Sequence, residues 1–483
     1  MVLEKLREFG QSLAPEWGSG GLFGLKYHKG VLYFTLAFEG KAFFLSSDRE
    51  LVYDFELVGS GLSSGGDTYN AVDVRDDEIF FGGWVHKPVK WLERSGRRVI
   101  DFSNKYSHVH VFNTKEWSVS LLWSETLRDP DRWCGEVTDL VYNPVRDSLL
   151  VARGDGFENL GVYELNLSTR RMHRVSESTA VKGSIVGDNV CFDISGELEE
   201  GVIGIQCFDV YSLRKSFEIK LEDIAKISID GGGARRRGSG YAISAYSRYL
   251  HLVRGGVLIV TPEAEEVYFI RLLDFGNAAY TQPTPQRSNA VIVGGGVLAP
   301  FSSYSHSDAS HPLPSLAPSL LVYLAPPSAR IARALGARVT SATKFESGVL
   351  LGYTTHPNTM GPQATLVESG KRGFTLVPED SLLTGVASPL VMRFRGVDVG
   401  REHFGGVPLL GYKKRSLRVV AGKLNKLTVY EYDAGIPPQL ISVESYAVKS
   451  GEREEIDLSG FSPIVSFKLE EEDPKLSIYV SLE

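Results

Sequence analysis

Along this chain a short apolar strand, a tight polar turn and a second apolar strand recur about seven times, at a spacing of about 50 residues. The turn and second strand align best: HKG with VLYFTLAF (28–38), RDD with EIFFGGWV (75–85), VRD with SLLVARG (145–154), GD with NVCFDIS (187–195), YSR with YLHLVRG (246–255), GGG with VLAPFSS (294–303) and ESG with VLLGYTT (346–355). Two-residue hairpin turns need positive φ or a side chain that bonds its own backbone, and Asp and Gly supply these. Two further strands follow most copies, as KAFFLSS and ELVYDFEL follow the first. A four-stranded sheet rich in Val, Ile, Tyr and Phe cannot bury both faces alone, so each copy needs neighbours and the row must close on itself. The reading is an all-β chain: a β-propeller of about seven four-stranded blades, with eight as the alternative count. A pair of β-sandwiches competes, but it does not require similar hairpins in register.

The ends depart from the repeat. MVLEKLREFGQSLAPEWG spaces Leu3, Leu6, Phe9 and Leu13 at helical intervals, which predicts a short helix within residues 1–20, docked on a propeller of residues 21–380. From 381 to 483 the pattern loosens. LVMRFRGV, KLTVYEYD and LSIYVSLE still read as strands, of an eighth blade, a ring-closing segment or an appended β module. The N-terminus lacks the apolar core of a signal peptide, and no stretch approaches the ~18 apolar residues of a membrane span, so a cytoplasmic, membrane-free protein is expected. An apolar fraction of 43% predicts a real core, and a net charge of -7 disfavours nucleic acid as a partner. Three cysteines without a paired motif indicate neither a disulfide framework nor a cysteine-built zinc site, which suits a reducing compartment.

PEWGSGGLFGLKYHKGVLYFTLAFEG (15–40), GGDTYNAVDV (65–74) and FGGWVHKP (81–88) resemble an archaeal family, found chiefly in hyperthermophilic crenarchaea, catalogued as a domain of unknown function. The likeness spans most of the chain. It implies a thermophilic, cytoplasmic protein and brings no catalytic residue with it. The scarcity of Gln and the four Met residues lean the same way. No WD dipeptide ends the third strands, and the Gly82-Gly83 pair similar to kelch repeats precedes an aromatic once, so neither larger family supplies a name.

In a propeller the first strand of each blade lines the channel, and the loops from strand two to three share one face with the crossovers between blades. That sorting places Glu39, His86 with Lys87, Asp155 with Glu158, Glu197, His306 with Asp308 and His311, and His356 with Asn358 around one channel mouth. Asp67, Tyr69, Asn70, Glu136 and Asp139 join them where the chain runs into the inner strands. Imidazole and carboxylate groups ligate divalent metals or transfer protons, so His86, Glu136, Asp139, Asp155, His306 and His356 are the candidate catalytic residues. His306, Asp308 and His311 are the candidate metal ligands, in a Ser- and Pro-rich insertion that equally suits a lid or a disordered loop. The bland alternative is that exposed loops are polar in any propeller.

His108 and His110 lie two apart on a strand and share a face, which suits a metal or, more commonly, a hydrogen-bonded pair. Arg235, Arg236 and Arg237 in GGGARRRG suit an anion or a solvated loop, without the ending of a phosphate-binding P-loop. Trp17, Tyr69, Trp84 and Trp133 suit a stacking surface or wedges between blades. No nucleophile elbow, dinucleotide-binding glycine pattern or zinc-protease motif occurs. The expected role is therefore a non-enzymatic binding or scaffolding protein that takes a protein or small-molecule ligand at the channel face. The alternative is a metal- or carboxylate-assisted hydrolase or lyase acting on a sugar or lactone-like substrate.

Overall fold

The computed structural model describes residues 6–10, 21–196, 201–220, 228–233, 239–277, 283–284, 288–303, 306–307, 319–355, 358–359, 371–384 and 388–483. Among them, seven antiparallel sheets follow one another between Leu22 and Pro378, in a propeller-like, nearly all-β arrangement. The first sheet shows why the repeat folds this way. Lys29 and Gly30 both take positive φ in the turn joining Leu22–His28 to Val31–Leu36, and Lys41–Leu45 and Glu50–Tyr53 complete the meander. Val31–Leu36 is buried at every position, whereas Glu50–Tyr53 is partly exposed. A middle strand covered on both faces reads as a continuous apolar run, and the outermost strand meets water.

Innermost strands of successive sheets touch one another from the first sheet to the fifth and from the sixth to the seventh, and Leu22–His28 of the first sheet packs on Arg338–Phe345 of the seventh. The fifth and sixth sheets meet through a shared core that includes Leu250, Val257, Val297 and Ala299. The seventh sheet takes its outermost strand from the other end of the chain. Phe9 and Gly10 pair with Arg372 and Lys371, and the Phe9 ring packs edge-on against Phe34 and Phe43 at 5.7 and 5.4 Å. Within the segment expected to be helical, Phe9 and Gly10 are a strand, because an unpaired sheet edge beside a docked phenylalanine selects that form. Residues 1–5 and 11–20, including Trp17, lie outside the described residues.

The second sheet carries an insertion that sequence periodicity did not reveal. Between its strands Glu78–His86 and Lys105–Asn113, the segments Lys90–Arg94 and Arg97–Asp101 form a separate two-stranded hairpin. In the fourth sheet Cys191 and Cys207 stand directly opposite on adjacent strands, both buried, and are disulfide-bonded. The expectation of unpaired cysteines is corrected, because cross-strand register brings together residues that no sequence motif links. Disulfides persist inside hyperthermophilic archaea as well as in oxidising compartments, so the bond does not by itself assign a location.

Residues 390–482 form two four-stranded antiparallel sheets whose ladders stay within this segment. They join the fifth and sixth sheets through one continuous core. Backbone bonds from Leu273 and Asp274 to Gly406 and Gly405 (3.0 and 2.7 Å) stitch the junction. Beneath it Arg271, fully buried, donates to Asp230 at 2.7 Å and Asp274 at 2.5 Å, and Ser466 Oγ donates to Asp230 at 2.8 Å. Burial opposes ionisation of Asp230, yet Arg271 and the nearby His403 imidazole, its Nδ1 3.6 Å away, outweigh it and hold the carboxyl well below its usual range. No helix among the described residues is long and apolar enough to cross a membrane.

Replacing Phe9 with Ala is expected to lower the unfolding free energy by about 2 kcal/mol in urea titrations. An unchanged midpoint would mean that closure does not use the N-terminal strand. Thiol titration of the unfolded, unreduced chain should find one reactive cysteine, Cys134, and three after reduction; three before reduction would dismiss the disulfide.

Candidate functional site

Of the polar residues predicted at the channel mouth, Glu39, Asn70, Glu136 and Asp139 make contacts that join one sheet to the next. Asn70, in the left-handed region at φ 61°, accepts from Gly24 N at 2.7 Å and donates to Thr340 O at 3.1 Å, tying the first, second and seventh sheets. Asn289 makes the same two-way contact with Ala342, at 2.6 and 2.7 Å. Asp139 accepts from Gly183 N at 2.9 Å, across the third and fourth sheets. Beside it the buried Lys182 ammonium donates to Tyr69 O and Thr138 O, at 2.6 and 2.7 Å, and stands 3.6 Å from Asp139. Burial, opposed by Lys182, pushes the Asp139 carboxyl up to about 6. Glu39 pairs with the buried Arg372, across the first and seventh sheets.

The densest group lies between the second and third sheets. Lys105 opens one strand and Glu136 opens another, and the two buried side chains form an ion pair. The Lys105 ammonium is 4.4 Å from the ring centres of both Trp84 and Trp133, a geometry in which aromatic faces stabilise a desolvated cation. Glu136 Oε2 accepts no hydrogen bond from the described residues. Burial, helped by Asp155 and Asp67 and opposed by Lys105, raises the Glu136 carboxyl to about 8. Nearby, Tyr69 donates its hydroxyl to Asp155, and Trp133 Nε1 donates to Asp155 O at 2.9 Å. Phe38, Tyr69 and Trp84 form a small apolar cluster apart from the main cores. Phe38, Tyr69 and Asp155 all have φ between 46° and 66°. Such backbone costs of order 1 kcal/mol per residue and gathers where function or a tight junction demands it.

His86 was expected on an exposed loop. It is instead the last residue of Glu78–His86, fully buried and edge-on to Trp84 at 5.5 Å. Burial, reinforced by Lys105, lowers its imidazole to about 3, which leaves it a poor acid or base near neutral pH. His108 and His110 are also buried. Their Nδ1 atoms are 3.1 Å apart, and His110 Nε2 lies 3.0 Å from the Tyr53 hydroxyl of the first sheet. The pair is a neutral hydrogen-bonded relay wedged between two sheets, with His108 pushed down to about 3 by burial and then by Lys87.

Among the described residues no group of three or more His, Cys, Asp or Glu is placed to hold a metal ion. His306 lies in a two-residue strand whose backbone pairs in parallel with Asn358–Thr359, so the long loops of the sixth and seventh sheets adjoin. Asp308, His311, His356, Glu197 and Arg235, Arg236 and Arg237 lie outside the described residues. Sequence reasoning missed Lys105 and Lys182, whose carboxylate partners sit on other sheets and leave no local signal.

Both His86 and His108 have folded values below the unfolded 6.5, so the stability they contribute is complete above pH 6.5 and drains away as pH falls toward about 3. His108→Asn keeps a polar δ atom and should flatten the pH dependence of the urea midpoint between pH 6 and 4, by up to about 1.4 kcal/mol per pH unit. An unchanged slope would show that His108 is not held neutral.

A search of curated proteins finds no match. Among solved structures, a chain of a mitotic checkpoint complex aligns at TM-score 0.42 and 8% identity, covering 77% of this chain and 91% of that one. The N-terminal domain of Nup159 aligns at TM-score 0.34 and 10% identity, covering 77% and 95%. The model of one family matches residues 32–362, more than half of the chain. On that match the chain belongs to DUF2139, described as uncharacterised proteins conserved in archaea.

Proposed function

We propose that the seven sheets close as a seven-bladed propeller, that residues 390–482 are an appended β module, and that the protein is a non-enzymatic binding platform. The observation that carries this reading is that Glu39, Asn70, Glu136 and Asp139 are engaged in contacts between sheets. Buried polar groups tied to partners on neighbouring sheets are poorly placed to meet a substrate. The same loop face offers apolar side chains to solvent. Leu62 (84% exposed) follows the first sheet, Trp91 (41%) lies on the inserted hairpin and Phe157 (53%) on the third-sheet loop. Large apolar groups gathered on one face favour a protein partner.

A second reading rests on Glu136 alone. A carboxyl raised to about 8, with an oxygen that accepts no described hydrogen bond, has the properties of a general acid, as the hydrolase or lyase alternative requires. The two readings separate in one comparison. Tagged wild type and a Leu62→Asp/Phe157→Asp variant are used to recover partners from a native extract, with circular dichroism confirming the fold. The platform reading expects a partner enriched about tenfold on wild type and lost from the variant, which corresponds to about 1.4 kcal/mol. Turnover of sugar esters or lactones, with or without divalent metal, that Glu136→Gln abolishes would replace it with the enzyme.

A further inference from the structure

The hairpin inserted into the second sheet has a surface that its own fold does not explain. Its two strands pair only with each other among the described residues, so the outward backbone groups of both strands carry no ladder. Ser95 and Gly96 form the tip with φ 49° and 75°, and Arg94 stands directly opposite Arg97. Like charges facing across a hairpin are destabilising unless a counterion intervenes. Arg94 has one, Asp131, reached through Nη2 at 2.9 Å. Arg97 and Arg98 are exposed and make no ion pair or hydrogen bond among the described residues.

The surroundings restrict what could complete this element. Asp131 lies beside the hairpin, Glu93 stands within it directly opposite Arg98, and the whole chain carries a net charge of -7. A nucleic-acid backbone, charged at every residue, would run from two arginines into these carboxylates. A peptide can place carboxylates at chosen positions, lend its backbone to a sheet edge and set apolar side chains on Trp91 and Phe157. Resting on the platform reading above, we propose that the hairpin Lys90–Asp101 docks an acidic, extended segment of a partner protein, which adds a strand to the hairpin and sets its carboxylates against Arg97 and Arg98.

The test uses the full chain and a fluorescein-labelled peptide of repeating Glu-Glu-Val-Val, about twelve residues long so that it spans the hairpin, with carboxylates on both faces of the added strand because the neighbours Arg97 and Arg98 point to opposite faces. Fluorescence anisotropy at low salt should show binding that weakens with added salt, and Arg97→Glu/Arg98→Glu should weaken it at least about tenfold. Arg97→Lys/Arg98→Lys should retain most of it, and an unchanged thermal midpoint in both variants excludes unfolding as the cause. Absence of binding to wild type, or binding indifferent to the charge reversal, overturns the proposal. So does tighter binding of a labelled oligothymidylate of the same length that the charge reversal removes. If the peptide fails while Leu62→Asp/Phe157→Asp still loses the native partner, the hairpin assignment falls and the platform stands.

Discussion

A single side-chain amide sits where the sheet row must meet itself. Asn70 bonds a backbone group of the first sheet and one of the seventh from its own place in the second. Thr340 completes the joint, donating to Leu22 O at 2.6 Å while accepting from Leu22 N at 3.1 Å. The sheets have little choice, because each buries its middle strands only when a neighbour covers both faces. Edges left open at this joint would expose backbone groups and apolar strands together. Phe9 and Gly10 then occupy the last outer position, so two distant parts of the chain hold the ends of the row.

Charge is handled at the same junctions. Lys105 with Glu136, Lys182 with Asp139, and Arg372 with Glu39 each join successive sheets, and Arg271 with Asp230 lies where the fifth sheet meets residues 390–482. Burying an ion is costly, and its partner must be present or the fold loses several kcal/mol. Such pairs therefore specify which sheets meet as much as they stabilise the meeting. Lys105 has two rings at 4.4 Å, closer than the single rings at 5.6 Å beside Lys182 and Arg271, and the second oxygen of Glu136 accepts no described hydrogen bond.

This arrangement explains how the polar residues divide. Glu39, Asp67, Tyr69, Glu136, Asp139 and Asp155 were selected as rim groups because they are chemically versatile and recur at equivalent places in the repeat. In the structure several of them bond groups of adjacent sheets: Glu39 pairs with Arg372, Tyr69 with Asp155 and Glu136 with Lys105, and Asp139 accepts from Gly183 N. The inserted hairpin went unnoticed because KWLERSGRRVID breaks the expected spacing and carries few apolar residues. Its exposed arginines are the part of the loop face that the junctions do not consume.

The strands, their turns and their fourfold grouping were determined by sequence alone, since a two-residue turn and an apolar alternation depend on residues that are neighbours along the chain. Membership of the archaeal family was also readable there, in strings such as GGDTYNAVDV. Only the tertiary structure decided that Phe9 is a strand, that Cys191 faces Cys207, and that Asn70 reaches a carbonyl 270 residues away. Each of those outcomes depends on a partner supplied from another strand or sheet, and a carboxylate looks the same in sequence whether its partner is water, a substrate or a buried lysine.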